Sequence, residues 1–159
     1  MTVGEFQAKK IERIADALAH FISTTRDDKL AWHAPGEEAH AGRSVLELAG
    51  ECVEVNRRIA ALLRGEAVNT TTSATEAPAY ESADLARSDL TESGRELAAA
   101  VRKIDDAALT QTYQTWRGPL PGEILIEMAY RNMAYHAGQV NFIQCLYGDS
   151  EFHLPPTWI

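Results

Sequence analysis

The stretch that decides the fold is YRNMAYHAGQVNFIQ, residues 130–144, which lies in the longest helical pattern of the chain. At about 100° per residue, Asn132, His136 and Gln139 fall on one line along such a helix. Apolar residues continue this line in both directions: Leu125, Met128 and Ala129 before it, and Ile143, Leu146 and Tyr147 after it. The stripe that this helix should bury therefore carries three polar side chains at its centre.

Three other segments share the apolar periodicity of a helix, and no segment has convincing strand alternation. The four predicted helices cover about residues 5–24, 44–64, 82–104 and 121–147. The second opens with Ser44 and Glu47, a capping box that satisfies two free backbone N–H groups, and Gly65 is a plausible stop. In the third, the apolar stripe is Leu90, Leu97, Val101 and Ile104.

Four amphipathic helices of this length predict an all-α fold, a four-helix bundle formed by one domain over residues 1–159. Two of the connections are longer than a bundle usually needs. One of them, GEAVNTTTSATEAPAYE at 65–81, could run the full length of a helix. It therefore permits a crossover that leaves the second and third helices parallel, although periodicity alone does not decide the order.

Charge and cysteine content argue against several classes of protein, namely nucleic-acid-binding, membrane-associated and disulfide-rich proteins. A net charge of -8 argues against nucleic acid and against an anionic membrane surface as partners. Neither a signal peptide nor a run of roughly 18 apolar residues is visible. Cys52 and Cys145 stand alone, which suits a reducing compartment better than a disulfide scaffold. We therefore expect a cytoplasmic protein.

The polar row on the last helix needs an explanation, because each buried amide or imidazole without a partner costs about 1–3 kcal/mol. One explanation is a hydrogen-bond network inside the bundle. The other is a metal site, since Asn132 and His136 lie one turn apart and can converge on a single cation. Glu51, on the flank of the second helix about 70° from its apolar stripe, is the best candidate for a carboxylate ligand.

The run RNMAYHAGQVNFIQCLYGD, together with SVLELAGECVEV in the second helix, resembles the DinB/YfiT-like family of metalloenzymes. The resemblance extends over nearly the whole chain. It implies a divalent ion held by three histidines, one from the second helix and two from the last. His136 matches one of these positions, whereas Asn132 and Glu51 stand at the other two, so this ligand set would favour harder ions than three histidines do.

The resemblance also implies a function and an assembly. Relatives transfer low-molecular-weight thiols such as bacillithiol or mycothiol, or act as hydrolases, and form homodimers; Tyr130 and Tyr135 are candidates for the dimer contact. The leading hypothesis is thus an enzyme that uses Zn, Ni, Mn or Fe at Glu51, Asn132 and His136 on a small-molecule substrate. The alternative is a bundle that has lost its metal and binds a small molecule or partner without catalysis.

Other polar residues are candidates for supporting roles. Gln139 could hold a metal ligand in place. His33 and His40 flank the loop that enters the second helix, so either could line a pocket. Trp32 and Trp116, in interhelical loops, could close the ends of the bundle or line a pocket.

Overall fold

The computed structural model describes residues 1–35 and 42–158. Within these residues the chain forms a helical bundle with one small hairpin, which confirms the predicted all-α fold. Its elements are α1 (Val3–Thr24), α2 (Val45–Leu63), α3 (Ala83–Val101), α4 (Asp106–Thr110), β1 (Thr112–Thr115), β2 (Gly118–Pro121) and α5 (Gly122–Leu146).

The four long helices form a bundle in which α1 and α2 each pack against both α3 and α5. The chain enters α3 beside the start of α2, because Tyr80 N donates a hydrogen bond to Leu46 O at 3.4 Å. Farther along, Asn56 in the second half of α2 donates to Ser93 in the second half of α3 at 3.2 Å. Helices α2 and α3 are therefore parallel, and the loop between them is the crossover that its length permits.

The helix ends agree with the capping signals, with one exception. Ser44 and Glu47 form both hydrogen bonds of the capping box at the start of α2. Gly65 follows that helix with a φ of 75°, a conformation that residues with a Cβ rarely adopt. In contrast, α3 ends at Val101, so the prediction that Ile104 continues its helical stripe is wrong. Ile104 packs against the core from the following turn.

The segment between α3 and α5 differs from the expectation that the chain has no strands. The short helix α4 leads into β1, which pairs with β2 in an antiparallel hairpin from Thr112–Pro121 to Thr115–Gly118. In β1, the side chains of Tyr113 and Thr115 are buried and their neighbours are exposed. Alternation over four residues is too short to separate a strand from a loop by pattern alone.

Helices α1 and α3 approach each other closely where Gly94 faces Ala15. A Cβ added at Gly94 would lie 2.6 Å from the Cβ of Ala15, so this crossing depends on a residue without a side chain. Among the described residues, none of the helices is both long and apolar enough to cross a membrane.

Candidate functional site

The candidate site lies between α2 and α5, and two structural features position it. The capping box fixes the start of α2, and Glu51 follows Glu47 by one helical turn on the same helix. On α5, Asn132 and His136 lie one turn apart and face α2. Both Glu51 and His136 are buried, with 7% and 6% of their side chains exposed.

His136 is held from one side and unpartnered on the other. Its Nδ1 lies 2.5 Å from Oε1 of Gln139. A carbonyl oxygen only accepts hydrogen bonds, so Nδ1 donates to it and Nε2 is left for a second partner. Nε2 lies 3.4 Å from Oε1 of Glu51 but makes no hydrogen bond with any described residue. A buried ring nitrogen without a hydrogen bond thus faces a carboxylate.

Glu51 has a second partner, which the sequence did not indicate. Nη1 of Arg43 donates to Oε2 of Glu51, and Nη2 of Arg43 donates to the backbone oxygen of Glu47 at 2.8 Å. Burial acts to raise the pKa of Glu51, but His136 and Arg43 outweigh it, so this pKa lies below its usual value. The carboxylate is therefore ionised at neutral pH, with a fixed cation beside one of its oxygens.

Asn132 lies between the carboxylate and the surface. Its Nδ2 donates a weak hydrogen bond to Sγ of Cys52 at 3.6 Å. Cys52 is fully buried, and burial raises the pKa of its thiol far above the usual value, so it is unsuited to act as a thiolate nucleophile. The Asn132 side chain also borders a small cavity on its other side, together with Glu51.

This inner chamber has a volume of about 20 Å³, which is room for about one water molecule or one ion. Its polar lining comes from α2, from α5, from the crossover loop and from the hairpin: Glu51, Asn132, Ser73, Thr75, Trp116 and Arg117. Trp116 therefore lines a pocket, one of the two roles expected for it.

Arg58 contacts the crossover loop and the hairpin, which form the two non-helical walls of the inner chamber. Its guanidinium pairs with Glu54 at 2.6 Å, donates to Thr72 O in the crossover loop at 2.7 Å, and lies 5.2 Å from the ring centre of Trp116 in the hairpin. Only 10% of its side chain is exposed. One side chain of α2 thus ties both the loop and the hairpin to the bundle.

An open groove of about 440 Å³ lies outside the chamber. Its walls are the hairpin and the first half of α5: Arg117, Leu120, Ile124, Met128, Arg131, Asn132 and Tyr135. We call it the outer groove. Asn132, Met128 and Arg117 border both the groove and the inner chamber, so the two cavities adjoin at these residues.

The spacing of Nε2 of His136 and Oε1 of Glu51 fits a single divalent ion. Two ligand atoms that each lie about 2.1 Å from a tetrahedral ion are about 3.4 Å apart. This matches the 3.4 Å between Nε2 of His136 and Oε1 of Glu51. Within the described part of the chain, no group of three His, Cys, Asp or Glu side chains could hold an ion, so a third ligand to this pair would be another side chain, such as an amide, or water.

The two loop histidines have different outcomes. Nε2 of His33 lies 2.7 Å from Oε2 of Glu47, one helical turn before Glu51, and about half of its side chain is exposed. His40 lies outside the described residues. The sequence reasoning missed Arg43, Arg117 and Arg131. Their only signal was position: Arg43 directly precedes the capping box, and Arg131 precedes Asn132.

Comparison with known proteins gives a family and a fold. The family model described as the DinB superfamily matches residues 10–140. A crystal structure of a DinB-like protein from Bacillus cereus ATCC 10987 superposes with a TM-score of 0.65 at 16% sequence identity, covering 91% of each chain. At that identity the likeness concerns the fold alone. No curated protein matches the chain.

Proposed function

Because the chain belongs to the DinB superfamily, we propose that it is a metal-dependent enzyme whose divalent ion is held by Glu51, Asn132 and His136. The ion would be Zn, Ni, Mn or Fe, and the reaction a thiol transfer or a hydrolysis on a small molecule. One observation carries the proposal. Nε2 of His136 is buried, makes no hydrogen bond with a described residue, and lies 3.4 Å from the Glu51 carboxylate.

The surroundings of these atoms favour the binding of a cation. Gln139 holds Nδ1 of His136, which orients the ring and leaves Nε2 as the donor. The lowered pKa of Glu51 keeps that group anionic at neutral pH. Asn132 adds a neutral amide that borders the same chamber. One anion and two neutral donors suit an ion that keeps open coordination positions for a reactant.

A divalent ion there would activate a water or a low-molecular-weight thiol as a nucleophile. The protein's own residues supply the rest. The inner chamber beside Glu51 has room for about one water molecule, and the side chains of Glu51 and His136 are only 7% and 6% exposed, so bulk water is kept from both. Asn132 and Met128, which also border the outer groove, would position the substrate at the mouth of the chamber.

A second candidate function is supported by Arg43. Its guanidinium already neutralises Glu51, and a fixed cation beside a carboxylate opposes the binding of a divalent ion. In this candidate the bundle has lost its metal and binds a small molecule or partner without catalysis. Arg43, Glu51, His136 and Gln139 would then form a buried polar network at the base of the pocket.

Metal loading distinguishes the two candidates. Protein made without a histidine tag would be stripped with EDTA, incubated with Zn²⁺, Ni²⁺, Mn²⁺ or anaerobic Fe²⁺, desalted, and assayed for metal content and melting temperature. The metal-dependent proposal expects about one ion per chain, a raised melting temperature, and the loss of both in His136→Ala. His33→Ala is the matched control, because His33 also pairs with a glutamate of α2 but at an exposed site. No retained ion and no thermal shift would leave the second candidate.

The proposal includes a homodimer in the cytoplasm. Phe142 and Leu146, one turn apart on α5, are 63% and 47% exposed, and such an apolar face is typical of an interface. Of the two tyrosines expected at the dimer contact, Tyr135 lines the outer groove. Tyr130 instead contacts α1 of the same chain, since Nζ of Lys10 lies 4.2 Å from the centre of its ring. Both cysteines are free thiols, as expected in a reducing compartment. Sedimentation of Phe142→Lys against the unchanged chain tests the dimer.

A further inference from the structure

The outer groove carries two positive charges that the rest of the described structure leaves unpaired. Arg117, at the turn of the hairpin, and Arg131, on α5, both line it, and neither forms a salt bridge with a described residue. Of the other nine arginines in this chain of net charge -8, seven form a salt bridge with a described residue, and Arg13 and Arg95 do not. The groove thus brings together two of the four arginines that have no carboxylate partner among the described residues.

The remaining wall of the groove is apolar. Leu120 from the hairpin and Ile124, Met128 and Tyr135 from α5 line it beside the two arginines. Ile124 and Tyr135 are 38% and 66% exposed, so this apolar area is open to a ligand. Arginine forms paired hydrogen bonds with carboxylate or phosphate oxygens, and an apolar wall favours hydrocarbon. The combination is complementary to a molecule that has an anionic group and an apolar body.

A molecule bound in the outer groove would lie next to the inner chamber, because the two cavities share part of their lining. Asn132, Met128 and Arg117 belong to the linings of both cavities. A ligand that lies along the groove therefore comes close to Asn132, which lines the inner chamber together with Glu51. This is where the substrate of the proposed enzyme would have to lie.

We propose that the outer groove binds a small organic anion with an apolar body, and that this is the substrate class of the site. The assignment of the anion as substrate rests on the proposed function, whereas its binding does not. Arg117 and Arg131 bind the anionic group, and Leu120, Ile124 and Tyr135 contact the hydrocarbon. Carboxylate and phosphate share the chemistry that the arginines recognise, so both are included as probes.

Isothermal titration with four probes tests the proposal: octanoate, octyl phosphate, neutral octanamide and inorganic phosphate. We expect at least one of the two amphiphilic anions to bind about tenfold or more tightly than both octanamide and inorganic phosphate. We expect Arg131→Gln and Arg117→Gln each to weaken that binding about three- to tenfold. Arg95→Gln, the same charge change on α3, should leave it unaltered. Backbone amide shifts in an NMR titration should centre on residues 117–135.

Any of three results would overturn the proposal. Octanamide could bind as tightly as the amphiphilic anions, inorganic phosphate could match their affinity, or Arg117→Gln and Arg131→Gln could bind them as well as Arg95→Gln does. Each titration is run both in EDTA and with metal-loaded protein. Arginine-dependent binding in EDTA supports the groove even if the metal proposal fails. Retained metal without such binding leaves the metal proposal standing and removes this one.

Discussion

Arg43 donates a hydrogen bond to the same carboxylate, that of Glu51, whose other oxygen lies 3.4 Å from Nε2 of His136. The carboxylate therefore lies between the guanidinium of Arg43 and the imidazole of His136. Because Arg43 already places a positive charge beside Glu51, we expect it to oppose the binding of a further cation there.

Removal of this arginine should strengthen metal binding. In Arg43→Ala the Glu51 carboxylate loses its competing positive charge, and we expect the affinity for Zn²⁺ or Mn²⁺ to rise about tenfold or more. Competition titration with a chromophoric chelator measures this change. Arg64→Ala, which removes an arginine paired with exposed Glu66, is the control. An unchanged or weaker affinity in Arg43→Ala would mean that Arg43 does not oppose an ion at Glu51.

The two oxygen ligands should respond differently to a change of charge. Glu51→Gln removes the anionic ligand from the set and should weaken metal binding about tenfold or more, because a buried divalent ion then lacks a compensating charge. Asn132→Asp adds a second anion and should preserve or strengthen binding. Titration of both variants under the same conditions gives the order of affinities. The reverse order would refute the role of Glu51 as a ligand.

Arg58 should matter for stability and for the shape of the inner chamber. Arg58→Ala removes the ion pair with Glu54, the hydrogen bond to Thr72 O and the contact with Trp116, and we expect a loss of about 2 kcal/mol in the free energy of unfolding. Urea denaturation measures the loss. Arg58→Lys retains the charge without the planar guanidinium and should recover less than half of it. Full recovery by lysine would show that only the charge matters.

The contact of Arg102 with two glutamates of α1 predicts a dependence of stability on pH. The hydrogen bond from Arg102 lowers the pKa of both Glu5 and Glu12 below 4.5. A carboxyl whose pKa is lower in the folded state stabilises the fold above its unfolded pKa, and this contribution disappears as the pH falls through the folded pKa.

Arg102→Gln should therefore reduce the free energy of unfolding at pH 7, and its difference from the unchanged chain should shrink as the pH falls below 4.5. Urea denaturation from pH 7 to pH 3 follows the difference. Because both carboxylates are partly exposed, the effect should also decrease in high salt. A difference that stays constant over this pH range would show that Arg102 acts by packing rather than by charge.

The features that could be predicted from the sequence are those encoded within one or two helical turns. The capping box at Ser44, the end of α2 before Gly65, and the alignment of Asn132 with His136 all follow from neighbours three or four residues apart. The contact between His136 and Gln139 also follows from their spacing of three residues on one helix. It failed at β1, where four residues are too few to establish alternation.

The sequence by itself determined four amphipathic helices and a polar row on the last of them, because helical periodicity is a local property of the chain. The tertiary structure alone decided that α2 and α3 run parallel, that Arg43 donates a hydrogen bond to one oxygen of Glu51, and that Arg117 and Arg131 line the same open groove. These relations join residues far apart in the chain, and they depend on how the packed helices and loops bring side chains together. No spacing within a single segment encodes them.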